Sequence, residues 1–370
     1  MKIPSMNRPV NFSFCSTVLL LALFSSGCKA APSPVPADPA PAAPAAQPAA
    51  ALADPAPVPD NNASAAQPAQ PTAPGLDHVS GEQVMKLTQQ FLAVASKRYV
   101  GSPGHAAAEK FIHDQFAPEA ARGNFVDDSF TANTPVGPQT MHNLLVKFPS
   151  TNPAKKDGII VLASHYETNY PLKDTDFVGA NDGACTSALL IAIGQYFRAH
   201  PPQDYSVWLL FDDGEEAVAN PPYSMSGQWN ASNSLYGTRH IAAKWSGDGT
   251  LSKIKAVIIA DMIGDKDLNI DRVDNSTPWL IDMLRVAARD TNHMGSIFKY
   301  NEVEDDDHLP FVARGVPALD MLDAHYGPVN VSLPDGYHHT TQDTLDKISA
   351  HSLQISSDLI LEMIKLIDQR

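Results

Sequence analysis

Cysteine is nearly missing from this chain. There are three in 370 residues, and two of them, Cys15 and Cys28, lie at the N-terminus before any globular composition begins. Only Cys185 remains beyond them, so the rest of the chain cannot close an internal disulfide even in an oxidising compartment. Cys185 reads as a small buried apolar residue at a helix start. Basic charge is also scarce: 26 Lys and Arg against 41 Asp and Glu leave a net charge of −15. No basic run occurs, which argues against binding to a nucleic-acid backbone. Long apolar runs are absent as well. The N-terminal one, Val18 to Phe24, is too short to span a bilayer. There is no internal repeat.

Proline, by contrast, is concentrated. Thirteen of 31 fall between Pro32 and Pro74, among Ala, Asp and Gln. Such a segment buries too little apolar surface to offset its ordering entropy, so 29–75 is expected to be a solvated tether. Ahead of it, Lys2 and Arg8 precede the apolar run, which ends in Ser25-Ser26-Gly27-Cys28. That is the layout of an export signal over residues 1–28. Its end resembles the bacterial lipobox, which implies a lipid anchor at Cys28. Ser25 stands where lipoboxes usually carry Leu, so plain secretion is the alternative. The expectation is an exported protein: a cell-envelope lipoprotein, or a periplasmic or secreted one.

The remainder, 76–370, can bury one substantial core. Ser80-Gly81-Glu82-Gln83 has the form of a capping box, followed by Val84, Leu87 and Phe91 at helical spacing. A second helix is predicted over 106–116 and an extended pair over 124–147, around Pro135-Val136-Gly137-Pro138. Then come four apolar runs without alternation: 159–163, 207–211, 256–260 and 316–319. Runs of this kind fit strands covered on both faces. Helix-like segments at 184–199, 235–244, 278–290 and 353–367 separate or follow them. The fold class is therefore α/β, a three-layer α/β/α sandwich around a mainly parallel mixed sheet.

In such sheets ligands bind beyond the carboxyl ends of the strands. The run ending at Ala163 is followed by His165, the one ending at Phe211 by Asp212, Asp213, Glu215 and Glu216, and the one ending at Ala260 by Asp261. Asn181-Asp182-Gly183 opens a helix. Singly, Asp182 reads as a turn residue, Glu215-Glu216 as a solvated pair, Asp306-Asp307-His308 as a charged loop and His339 as an ordinary surface histidine. Together they crowd carboxylates into one crevice, which demands a cation or protonation. Mixed carboxylate and imidazole ligands suit zinc, typically with three protein ligands and an open position.

The spacing of this set resembles the zinc peptidases of family M28, over nearly the whole domain. The matching residues are His165-Tyr166-Glu167, Gly179-Ala180-Asn181-Asp182, Glu215-Glu216, Asp261 and His339-Thr340. Within that clan the local sequence resembles the glutaminyl-peptide cyclotransferases. Asp213-Gly214-Glu215-Glu216-Ala217, Ser234-Leu235-Tyr236-Gly237-Thr238-Arg239-His240 and Asp306-Asp307-His308-Leu309-Pro310-Phe311 carry the likeness, with Trp229 at the cyclase spacing before Ser234. There are departures. His338 stands where animal cyclases have Trp, Ser164 and Ser187 replace a disulfide near the metal, and Glu167 replaces the Asp of H-x-D.

The resemblance implies one Zn²⁺ on Asp182, Glu216 and His339, with Glu215 as the acid–base group. Asp261 and Asp306 then hold the amine and amide nitrogens of an N-terminal glutamine, while Trp229 and His338 line the pocket. Peptide or protein N-termini are the implied partners. The alternative is a two-zinc aminopeptidase, in which Asp182 bridges and His165 and Asp261 bind the second metal. A non-catalytic envelope lipoprotein is the third reading, and its signature, lost ligands, is missing from the sequence.

Overall fold

The computed structural model describes residues 79–221 and 232–370, so the expected export signal, the tether and Trp229 lie outside the described residues. Among them, six strands form one sheet. Phe125–Thr134 (β1) and Gly137–Phe148 (β2) are the antiparallel hairpin expected around Pro135–Pro138. The four apolar runs become Ile159–His165 (β3), Ser206–Asp212 (β4), Ile254–Asp261 (β5) and Ala318–Leu322 (β8). The spatial order is β1-β2-β4-β3-β5-β8, antiparallel at the hairpin side and parallel from β4 to β8. The sequence run beginning at Val316 enters the sheet only at Ala318, because Pro317 has no N–H to give a ladder.

Continuous apolar character follows from burial on both faces. Ile160, Leu162, Leu209 and Ile258 point into one core, and Val161, Ala163, Leu210 and Val257 into the other. The first core is closed by Gly81–Ala95 (α1), Pro103–Gln115 (α2), Thr186–Ala199 (α4), Pro278–Asp290 (α6) and Ala350–Asp368 (α8). The second is closed by Tyr236–Asp248 (α5) and Leu309–Val312 (α7). A short helix, Ala117–Ala121 (α3), follows α2. Ile270–Val273 (β6) and Ile297–Glu302 (β7) make a separate parallel pair that the sequence reading did not anticipate.

The capping box is not formed. Ser80 makes no side-chain cap; instead the Gly81 N–H donates to Gln354 Oε1 at 2.8 Å, so α8 caps α1. The helices approach so closely there that a Cβ on Gly81 would lie 1.9 Å from the Ala350 carbonyl oxygen. Only glycine fits.

Candidate metal centre and active site

The parallel strands point their carboxyl ends at one rim, and each delivers a polar residue to it. His165 ends β3, Asp261 ends β5, and the turn after β4 carries Glu215 and Glu216. Asp182 comes from the wide turn Ala180–Cys185, whose Gly183 has φ +85° and would place a Cβ 2.8 Å from the His165 ring. His339 arrives on the loop between β8 and α8 with φ +52°, a left-handed conformation uncommon for histidine and found where surroundings impose it.

The side chains converge. His339 Nε2 lies 2.9 Å from Glu216 Oε1 and 3.5 Å from Asp182 Oδ2. His165 Nε2 lies 3.1 Å from Asp182 Oδ1 and 3.3 Å from Asp261 Oδ1. Glu215, Glu216, Asp261, Asp306 and His338 line the same cavity of about 470 Å³. A groove of about 670 Å³ lies between the C-terminal end of α4 and α8, away from these groups. The structure thus gathers eight of the nine site residues expected from sequence, and the ninth, Trp229, is not described.

The chain fits a cation here. Asp182 Oδ2, His165 Nε2 and Asp261 Oδ1 are buried without a hydrogen-bond partner, although each has an opposite or like polar atom close by. Asp182 and His339 form a metal-capable group with His338, and Asp182 forms another with His165 and Asp261. Buried polar atoms left unpaired cost about 1–3 kcal/mol each, so their convergence calls for a ligand. Two carboxylates and an imidazole are the donor set zinc takes.

A second layer of residues holds these groups, and of these Arg98, Asn169, Tyr326 and Asp343 were not anticipated from the sequence. Arg98 is fully buried and donates to four carbonyl oxygens: Tyr166 (2.6 Å), Val178 (2.5 Å), Gly179 (2.8 Å) and Asp182 (2.8 Å). Asp343 accepts from the backbone N–H groups of Asn181 and Asp182 and from the Tyr326 hydroxyl. Asn181 links two ligand turns, donating to the Met262 carbonyl and accepting from the Gly264 N–H. Asn169 donates to Glu216 Oε2 at 2.7 Å, and Glu167 accepts the Glu216 N–H at 3.0 Å. Glu167 thus reaches the Glu215–Glu216 turn while its Oε1 stays 4.0 Å from His165 Nδ1. Ser164 donates to Thr186 and Ser187 to the His165 carbonyl, tying β3 to α4 without a disulfide. Cys185 is buried and free, as expected.

Charge is polarised across the cluster. Burial pushes Glu215 well above the usual carboxylate range, and repulsion from Asp306, Asp307 and Glu216 adds to it against the pull of His165. Burial and the neighbouring Asp182 push Glu216 up as well. Asp306 rises through burial and then through Asp261 and Asp307. Asp182 goes the other way: burial opposes its ionisation, but the close approach and charge of His165 outweigh it. A cation at the cluster would lower the raised carboxylates by its own charge.

An α/β sandwich with this rim defines a class. A model of Peptidase family M28 matches residues 143–364, and the chain belongs to that family. A Zn-dependent exopeptidase from Parabacteroides distasonis shares the fold at 17% identity, with a TM-score of 0.66 over 79% of this chain and 99% of that one. The glutaminyl-peptide cyclotransferase of Boiga irregularis is 27% identical over 304 residues, 73% of this chain and 78% of the relative. The crystal structure of the Acidobacteriales bacterium glutaminyl cyclase is 59% identical, with a TM-score of 0.76 over 83% of this chain and all of that one. Within family M28, then, the chain is one of the glutaminyl cyclases.

Proposed function

We propose that this chain is a zinc-dependent glutaminyl-peptide cyclotransferase that converts the N-terminal glutamine of peptides to pyroglutamate with release of ammonia. The observation that carries the reading is the 59% identity to a glutaminyl cyclase along that protein's whole length. Asp182, Glu216 and His339 hold the metal in this reading. Zinc, when bound, supplies Lewis acidity toward the γ-carboxamide carbonyl.

The chain's own residues do the rest. Glu215 takes a proton from the α-amine as its nitrogen bonds to the carbonyl carbon of the carboxamide, and returns it to the amide nitrogen as that carbon's C–N bond breaks and ammonia leaves. One carboxylate can serve both steps because its surroundings raise its proton affinity. Asp261 and Asp306 accept hydrogen bonds from the amine and the carboxamide. The raised proton affinity of Asp306 lets the two share a proton rather than repel. His338 lines the cavity beside His339, their ring centroids 3.8 Å apart, as a wall for the substrate. The nucleophile belongs to the substrate, so orientation and electrostatics are the main demands.

The closeness of His165 to Asp182 and Asp261 favours a second reading, a two-zinc aminopeptidase. Zinc analysis combined with two assays separates them. One zinc per chain and ammonia release from Gln-peptides support the cyclase; two zincs with free amino acid released from an aminoacyl-anilide overturn it. Export, with lipid attachment at Cys28, completes the proposal. Radiolabelled fatty acid should enter the wild type and not Cys28→Ser, and equal labelling of both would refute it.

A further inference from the structure

His105, on α2, takes no part in the chemistry above, yet it is buried beside the turn that carries Glu215. Its Nε2 lies 2.8 Å from Asp213 Oδ1 and its Nδ1 3.3 Å from Glu109 Oε1. The three residues form a group that could hold a metal. The two carboxylates sit nearest opposite nitrogens of the ring, however, and a single ring nitrogen faces only one of them. An imidazole hydrogen-bonded to Asp213 through Nε2, with Glu109 close to Nδ1, accounts for the arrangement better. The Tyr166 ring stacks on it at 5.3 Å and 13°, fixing the ring plane.

The other contacts of the turn show what this pair controls. The Asp213 N–H donates to Asn143 Oδ1, and Asp213 Oδ2 accepts the His142 N–H at 2.7 Å. Gly214 has φ +75°, and a Cβ there would lie 2.7 Å from Met141 Sδ. Its carbonyl and that of Glu215 accept from the N–H groups of Tyr236 and Leu235 at 2.7 and 2.8 Å. Glu216 is held through its N–H by Glu167. Every residue of Asp213–Glu216 is therefore tethered to β2, α5 or the residues after β3. Among the described residues, the hydrogen-bonded link from this turn to α2 is His105.

We infer that His105 is a positioning residue for Glu215, its imidazole holding the Asp213 carboxylate and through it the turn that aims the acid–base group. The inference rests on the proposed role of Glu215. It also predicts a specific pattern: misaiming the base slows the proton transfers but leaves the metal and the substrate contacts in place. A misplacement on the order of 1 Å costs up to about 100-fold in rate.

The test uses full-length His105→Leu, His105→Gln and Asp213→Asn proteins, with kcat and KM on a Gln-peptide, zinc content and circular dichroism. His105→Leu should lose about 10- to 100-fold in kcat with KM within about threefold and zinc unchanged. His105→Gln keeps an N–H toward Asp213 and should recover most of that loss. Asp213→Asn should resemble His105→Leu, and the double variant should be no worse than either. Wild-type kcat in His105→Leu, or zinc lost in step with activity, would overturn the inference. If His105→Leu does not fold, the decision falls to Asp213→Asn: a kcat lowered about tenfold or more at constant KM and zinc supports it, and wild-type kcat refutes it. Failure of the wild type to cyclise Gln-peptides would instead refute the proposed function.

Discussion

Replacing Arg98 by Met tests how the metal turn is held. The guanidinium donates to four carbonyl oxygens within 2.8 Å, two of them, Gly179 and Asp182, on the turn that presents the Asp182 ligand. Burial lowers its pKa to about 10, which leaves it charged at neutral pH, with the charges of Asp182 and Asp343 opposing the shift. Methionine keeps the stem volume and removes every donor. Charge-assisted bonds contribute about 1.5–3 kcal/mol each, but four on one group are not additive. Loss of a buried charge partner costs about 3–5 kcal/mol, and that range is the better guide. A loss of about 4 kcal/mol is a large share of the 5–15 kcal/mol typical of domains and should lower Tm by roughly 8 °C or more. The Asp182 turn should loosen first, so zinc affinity should fall at least about tenfold. Thermal unfolding with and without excess zinc, and a chelator competition, read both quantities. Arg98→Lys, which keeps the charge but not the fork, should lie between. The reasoning fails if Arg98→Met unfolds within about 1 kcal/mol of wild type and holds zinc equally well.

Other consequences are open to measurement. Glu215→Gln should cost at least about 100-fold in kcat while zinc content stays at the wild-type value; zinc loss would remove Glu215 from its assigned role. Asp182→Asn and His339→Ala should each lose zinc, and with it the concentration-dependent rise in Tm that excess zinc gives the wild type. Burial would lower the pKa of His105, but Asp213 and then Glu109 push it from 6.5 up to about 9. A raised folded-state pKa means its contribution, about 3 kcal/mol, is full below pH 6.5 and lost as pH climbs through 9. Denaturant titrations at both ends of that window should show the slope in wild type and lose it in His105→Leu. In Gly194→Ala a Cβ would sit 2.4 Å from Phe116 Cε1. The overpacking cost of about 1–3 kcal/mol should exceed the helix-propensity gain of about 1 kcal/mol, so Tm should fall.

The sheet was legible because its strands are covered on both faces. Burial on each side leaves no room for alternation, and three of the apolar runs fall inside β3, β4 and β5, while the 316–319 run overlaps β8 only at Ala318 and Leu319. Helix α6 matches its expected span of 278–290, where an amphipathic pattern follows Pro at the first turn. The rim residues were legible for a related reason: His165 and Asp261 close apolar strands and so had to face one edge. What the sequence hid are the residues that act through backbone atoms. Arg98 reads as one more cation, because its four partners are carbonyl groups that carry no side-chain signature. His105 and Asp213 are 108 residues apart, and only the packing of α2 against the sheet brings them together. The Ser80 cap failed because a tertiary partner, Gln354, reached the helix end first.

The ligand turn at His339 stands 123 residues beyond Glu216, past two sheet crossings and the β6–β7 pair. On the proposed ligand set of Asp182, Glu216 and His339, no short fragment of this chain contains the whole metal site. Metal capture has to follow assembly of the sheet and the return of the last loop, and a left-handed histidine must be locked before the third donor is in place. Loading becomes a checkpoint on completed folding, carried out with whatever metal pool surrounds the chain when that last loop closes.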